Sequence, residues 1–269
     1  MKKLAATQFK KTVWSFYYKN KREMLWRETR DPYKILVSEV MLQQTQVSRV
    51  LKKYPEFIEA FPSLDILAKA PLKRILSVWQ GMGYNRRAIA LKNIADGATK
   101  KYGGAIPADP ILLENLPGIG KNTAGAIAAF AFNRPVVFIE TNIRRVFIHH
   151  FFKNHHSVHD KDILPLIKKT LDKKNPREWY WALMDYGSAP PKTVMNPNKK
   201  SRHYAKQKPF KGSNREVRGL ILRILLEKGS LPPAQLKAYI DRPELHKNLN
   251  DLVHEGFLKK KGKLYALAD

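Results

Sequence analysis

The run Leu116-Pro117-Gly118-Ile119-Gly120-Lys121 constrains this chain more than any other stretch. Two glycines stand one residue apart, and small residues follow at helical spacing: Ala124, Gly125, Ala126, Ala128 and Ala129. Glycine has no Cβ and tolerates positive φ, so the pair permits a sharp turn between two helices. Such a turn leaves main-chain N–H groups bare at the start of the second helix, where the helix dipole favours an anion. Lys121 adds a positive charge there, and the small residues let the second helix pack closely on a neighbour. Spacing alone leaves an ordinary tight turn between two core helices equally open.

Charge narrows the choice. The chain has 269 residues, with 50 Lys and Arg against 23 Asp and Glu, a formal net charge of +27. That excess calls for a polyanionic partner, nucleic acid before an anionic membrane surface. No apolar run is long enough to cross a bilayer. The N-terminus begins like a signal peptide, but Gln8, Lys10 and Lys11 interrupt any apolar core, so a cytoplasmic, nucleoid-associated protein is expected. Cysteine is absent, which excludes disulfides, thiol nucleophiles and cysteine-ligated metal clusters. His149, His150, His155, His156 and His159 form a loose cluster that could be metal ligands. No carboxylate pattern accompanies them, and solvent-facing histidines are the plainer reading.

Periodicity predicts mostly helices. Residues 4–22 form an amphipathic helix with Leu4, Phe9, Val13, Trp14 and Tyr17 toward the core. Asp31-Pro32 opens a second helix over residues 33–50, whose apolar face is Ile35, Leu36, Met41, Leu42 and Val47. Glu39 stands among those apolar residues. It is either a carboxylate satisfied by a salt bridge or a cleft-lining acid with a raised pKa, suited to proton transfer. Short helices fill residues 52–102, and a glycine turn at residues 79–84 precedes Arg86, Arg87 and Lys92, which face phosphate or form a solvated charged face. After an apolar extended run at residues 135–139, Thr141 and Asn142 are preferred N-caps for a helix over residues 143–152, and Glu140 is not. A basic loop follows, with Lys199, Lys200, Arg202, Lys206 and Lys208. Then come helices at residues 215–228, 236–240 and 245–255 and a hairpin at residues 257–267. Three helices and a basic two-stranded wing resemble a winged helix-turn-helix.

Three strings in one order carry a resemblance to a known family. Residues 116–127 resemble the hairpin of the helix-hairpin-helix DNA glycosylases, the HhH-GPD superfamily. Ser38-Glu39-Val40-Met41-Leu42-Gln43-Gln44-Thr45-Gln46-Val47 and Trp79-Gln80-Gly81-Met82-Gly83-Tyr84 resemble the signatures of its MutY adenine glycosylase branch, and the likeness runs over roughly residues 20 to 187. The resemblance implies an all-α, two-lobed glycosylase domain over residues 1–212, with a basic linker at residues 188–212 and a small α+β winged helix at residues 213–269. The target nucleotide would flip between the lobes beside Glu39. Glu39 would protonate the leaving adenine, and Gln43 and Gln44 would fill the gap left by the base. Gly118, Gly120, Lys121 and Thr123 would grip a phosphate, with Tyr84, Arg86, Arg87 and Arg144 also on the DNA. Main-chain carbonyls of Glu114, Leu116 and Ile119 would hold a monovalent cation; no cofactor is required.

The departures from the family matter as much. Glu140 stands where the family has a catalytic aspartate that stabilises the sugar cation, and Asn142 would orient water or a carboxylate. Asn122 stands where bifunctional members carry a Schiff-base lysine, so no β-elimination is expected. Met184-Asp185-Tyr186-Gly187 resembles the segment before the family's iron–sulfur loop, but without cysteine the cluster is lost. The family's C-terminal 8-oxoguanine reader is expected to be absent. The expectation is thus a monofunctional glycosylase, monomeric, acting on double-stranded DNA with a lesion or mismatch, most of all on adenine. A uracil, thymine-mismatch or other damaged-base glycosylase is the alternative raised by Glu140, Asn122 and the expected absence of the reader domain. A non-catalytic DNA-binding protein is the alternative raised by the winged helix, and the intact Glu39-to-Gln44 string argues against it.

Overall fold

The computed structural model describes residues 3–189, 196–207 and 209–269. Lys208 of the basic loop, and the run from Pro190 to Lys192, lie outside the described residues. In chain order the helices are α1 (Lys3–Asn20), α2 (Pro32–Leu42), α3 (Val47–Ala60), α4 (Leu64–Lys69), α5 (Leu72–Trp79), α6 (Arg86–Tyr102) and α7 (Pro110–Glu114). They continue with α8 (Lys121–Phe132), α9 (Thr141–Phe151), α10 (Asp160–Thr170), α11 (Pro176–Ser188), α12 (Asn214–Lys228), α13 (Pro233–Tyr239) and α14 (Leu245–His254), followed by strands β1 (Leu258–Lys261) and β2 (Leu264–Leu267). Among the described residues no helix is long and apolar enough to cross a membrane.

The chain divides into two compact units. The first is Met1–Glu39, Ile106–Asn115 and Ile119–Lys206; the second is Val40–Ala105, Leu116–Gly118 and Gln207–Asp269. The first unit is organised by aromatic packing. In α1, Phe9, Val13 and Tyr17 recur every fourth residue and are buried. The Phe9 ring lies 5.2 Å from Phe147 of α9 and 6.1 Å from Trp179 of α11. Gly125 of α8 permits a close approach: a Cβ there would lie 2.7 Å from the Phe138 Cβ. Phe138 in turn packs 4.1 Å from Tyr180, whose hydroxyl donates to the Val136 carbonyl at 2.7 Å. The extended run at residues 135–139 is therefore held by α8 and α11, with no strand partner among the described residues, and it delivers the chain to Glu140.

In the second unit, Phe57, Phe61 and Trp79 form the aromatic centre, with Phe57 5.7 Å from Trp79. The single helix expected over residues 33–50 is two helices. α2 ends at Leu42, and Gln43 to Gln46 turn before α3, with Gln44 at φ +53°. The cause is Arg87, which is buried at 7 % exposure. Its guanidinium donates to the carbonyls of Val40 (3.1 Å), Met41 (2.7 Å) and Gln43 (2.7 Å), groups that a continuing helix would bond internally. At the C-terminus α12, α13 and α14 precede an antiparallel hairpin that pairs Leu258 with Leu267 and Lys261 with Leu264. Leu231 adds an antiparallel bridge to Tyr265, so the expected helix order and hairpin are present.

Candidate active site

Asp31 begins the construction of the site. Its Oδ1 accepts the Tyr33 N–H at 2.9 Å, capping α2 behind Pro32, and α2 carries Glu39 eight residues further on. Residues 35–38 and Val40 around it are buried, while Glu39 itself keeps partial exposure. Burial pushes the Glu39 carboxyl up to about 8, and the nearby Glu140 charge adds to the rise. The charge of Arg27 opposes this. Its guanidinium is already committed to Asp185, with Nη1 and Nη2 each at 2.8 Å from a carboxylate oxygen. Arg22 adds its Nε at 2.6 Å and its backbone N–H at 3.1 Å to the same Asp185. Burial raises Asp185, but these hydrogen bonds outweigh it and hold the group below the usual carboxylate range. Among the described residues, no hydrogen bond reaches the Glu39 carboxyl.

Glu140 has a different setting. It is the N-cap of α9, and its own Oε1 accepts the Ile143 N–H at 2.7 Å. The preference for Thr141 or Asn142 as the cap is overturned, because the buried chain before Glu140 brings its carboxylate back over the first turn. Asn142 Nδ2 donates to Oε2 at 3.2 Å, fixing the second oxygen. Burial raises the Glu140 pKa, opposed by the Asn142 and Ile143 hydrogen bonds and the Arg144 charge, with a net upward shift. Helix α11 comes so near that a Cβ on Gly187 would lie 2.3 Å from the Asn142 carbonyl oxygen. Burial thus raises both carboxyls, and they differ in that Glu140 accepts amide hydrogen bonds that favour its anion.

The other predicted site residues fall into three groups. In the hairpin, Gly118 has φ +84°, and an added Cβ would come 3.0 Å from that of Ala90, so glycine is required. Gly120 does not need glycine's conformational freedom. It N-caps α8 at φ −90° with open space around it, and no side chain caps the helix. Lys121 and Asn122 are exposed and Thr123 is half-buried. Asn122 Oδ1 accepts the Ile139 N–H at 3.3 Å. Glu114 ends α7 on the surface, and Leu116 and Ile119 are buried.

The arginines are mostly engaged within the protein. Arg87, expected on a phosphate-facing surface, is instead the buried clamp on the end of α2. Its Nη2 donates to Met82 and Gly83 as well, and burial lowers its pKa to about 10. Arg144, also expected on DNA, forms a bidentate pair with Asp160 at 2.7 Å through both nitrogens. Arg86 remains 73 % exposed along its side chain, but Glu255 holds it at 2.8 and 2.5 Å. Gln44 is exposed on its turn and Gln43 is half-buried. Among the described residues no histidine, aspartate and glutamate group could hold a metal ion. His150 instead shares a hydrogen bond with Tyr186, and burial lowers its pKa to about 4.

Sequence reasoning missed Arg22, Arg27 and Asp185. The available signal was one acid at the end of the apolar run from Trp179 to Leu183, a position that must be paired if buried.

Comparison with known proteins follows the same lines. A family model described as HhH-GPD superfamily base excision DNA repair protein matches residues 37–169. The adenine DNA glycosylase of Buchnera aphidicola subsp. Baizongia pistaciae is 38% identical over 185 residues, 67% of this chain and 52% of that protein. The thymine/uracil-DNA glycosylase of Methanothermobacter thermautotrophicus is 29% identical over 183 residues, 67% of this chain and 83% of that one. The solved structure of a thermostable thymine-DNA glycosylase superposes with a TM-score of 0.62 at 28% identity, covering 69% of this chain and 87% of that chain. An endonuclease III trapped on DNA shares the fold, with a TM-score of 0.59 at 19% identity over 68% of this chain and 85% of that chain. The chain spans about half the length, or less, of the adenine glycosylases it matches.

Proposed function

Because this chain belongs to the HhH-GPD superfamily of base excision DNA repair proteins, we propose that it is a DNA glycosylase. It hydrolyses the N-glycosidic bond of a mispaired or damaged base in duplex DNA, with adenine as the first candidate. The carrying observation is the unlike pair of carboxyls: Glu39 raised to about 8 and without a hydrogen bond among the described residues, Glu140 fixed by Ile143 and Asn142. Glu39 gives its proton to a ring nitrogen of the extruded base. The C–N bond breaks, the electron pair leaves with the base, and the Glu140 carboxylate faces the resulting oxocarbenium-like sugar. Water adds to that carbon and loses a proton, which completes hydrolysis. Asn142 acts through Glu140, holding its outer oxygen.

Asn122 puts an amide, not an amine, where a Schiff base would form, so the strand stays uncut. The absence of cysteine removes every ligand an iron–sulfur cluster would use. The carbonyls of Glu114, Leu116 and Ile119 are neutral oxygen donors of the kind a weakly charged hard cation takes. Bare amides at Gly120 and Lys121 bind phosphate.

A thymine or uracil glycosylase is the second reading, supported by the likeness to the archaeal thymine/uracil enzyme over most of that protein's length. The test is a panel of duplexes, each with one lesion or mismatch, incubated with enzyme and then cleaved with alkali. One duplex should be cut after alkali and not before. Cleavage that Glu39→Gln leaves at the wild-type rate would overturn the mechanism, and an uncut panel would overturn the activity.

A further inference from the structure

The β1–β2 hairpin, residues 258–267, holds four lysines and no acid. Lys259 is taken by Asp269. Among the described residues Lys260, Lys261 and Lys263 meet no carboxylate, and all three are exposed. Strand alternation sets Lys260 and Lys261 on opposite faces of the ribbon. Lys260 pairs with Tyr265, and its Nζ lies 5.5 Å from that ring's centroid. Lys261 pairs with the exposed Leu264, and Lys263 stands at the tip beside Gly262. The buried Tyr265 brings its hydroxyl within 3.5 Å of Asn250 Oδ1, so the hairpin lies against α14. That helix buries Leu245, Leu249 and Leu252 and exposes His246, Lys247, Asn250 and His254. Of the acids around it, Glu255 is held by Arg86 and Arg218, Asp251 is half-buried, and Glu244 is exposed ahead of the first turn.

We propose that the hairpin and the exposed side of α14 form a nucleic-acid surface of their own, built from residues that the glycosylase site does not use. It takes the phosphate backbones of duplex DNA without regard to sequence, since phosphate contacts position a protein and carry no base information. A two-stranded ribbon or a helix fits the major groove, about 12 Å wide. With lysines on both faces and at its tip, this ribbon presents a cation to each of the two strands that wall a groove. A single strand fits less well, because such sites stack bases on exposed aromatics. Here Phe257 and Tyr265 are buried, and the exposed Tyr239 lies on α13. A membrane surface fits less well too, because interfacial binding needs an apolar face. Of the large apolar residues in the hairpin, Leu264 alone is exposed.

The chain has no cysteine, so Lys263→Cys gives a single attachment point for a photo-crosslinker. Irradiated with an undamaged duplex, the labelled protein should crosslink to DNA, several-fold more than the same label at Lys168→Cys on the exposed side of α10. Crosslinking no greater from position 263 than from position 168 would overturn the proposal. In a second arm Lys260, Lys261 and Lys263 are all replaced by Gln in the full chain. The slope of log affinity against log salt should fall by about one for each lysine, alike on every undamaged sequence. A control removes the same charge at the exposed Lys161, Lys168 and Lys173, and its slope should fall by much less. An unchanged slope in the hairpin variant, or an equal fall in the control, would reduce the hairpin to general surface charge and overturn the proposal. Phosphatidylglycerol vesicles that bind the wild type and not the hairpin variant, with duplex binding unmoved, would overturn it in favour of a membrane surface. The replaced side chains are exposed, so melting should not change. Both arms use undamaged DNA, so a protein that excises no base would sink the glycosylase reading and leave this test standing.

Discussion

Glu39 and Asp185 are two carboxyls of the same unit pushed in opposite directions, and each shift has a measurable consequence. A general acid must be protonated to act. Single-turnover excision should therefore fall as pH rises through about 8, and Glu39→Gln should lose about 10²–10⁴-fold at neutral pH while still binding DNA. The same shift bears on stability. The folded state holds the Glu39 proton more tightly than the unfolded chain, so this contribution is full below the ordinary glutamate range and lost as pH rises toward about 8. Glu39→Gln should gain in melting temperature relative to wild type across that window, and a constant difference would contradict the shift. Asp185→Asn makes a sharper test. Arg27, whose side chain is 6 % exposed, loses its partner, which should cost about 3–5 kcal/mol by thermal or urea unfolding. Its charge then falls more fully on Glu39 and lowers that pKa. The alkaline fall in excision rate should move to lower pH in Asp185→Asn; an unmoved limb would mean that Arg27 and Asp185 are structural only.

At the scale of elements, the hairpin separates two roles that sequence placed together. Gly118→Ala meets both a positive φ and the Ala90 methyl, and should destabilise the fold by about 1–2 kcal/mol. Gly120→Ala has an ordinary φ and open space, so melting should be unchanged while affinity for every duplex falls, because the new methyl stands over the bare amides. A destabilised Gly120→Ala would refute that division. Periodicity found the helices and the order of the C-terminal hairpin, because those follow from local apolar spacing. It ran α2 into α3, because the break is made by Arg87, more than forty residues away in sequence. It offered Thr141 or Asn142 as a cap, since propensity describes isolated helices, and here the chain before Glu140 brings that carboxylate onto the Ile143 N–H. Glu39 was visible as an acid among apolar residues, but its setting was not, since Asp185 lies 163 residues from Arg22 and 158 from Arg27 along the chain.

For the molecule as a whole, a net charge of +27 does not mean that every cation is available to DNA. Arg27, Arg86 and Arg144 are held by Asp185, Glu255 and Asp160, and Arg87 by carbonyls. Binding should be strongly salt dependent, and Lys121→Gln should flatten the log–log slope by about one phosphate contact. Arg144→Gln should leave the slope unchanged; a loss equal to that of Lys121→Gln would place Arg144 on the phosphate after all. The Arg27–Asp185 pair also has a meaning in time. Its partners are 158 residues apart, and the ribosome adds about 5–20 residues per second, so Arg27 emerges roughly 8–30 s before Asp185 exists. Throughout that interval Arg27 has no Asp185 carboxylate to hold it, so the pair that binds the start of the chain to α11 can close only after α11 has been made.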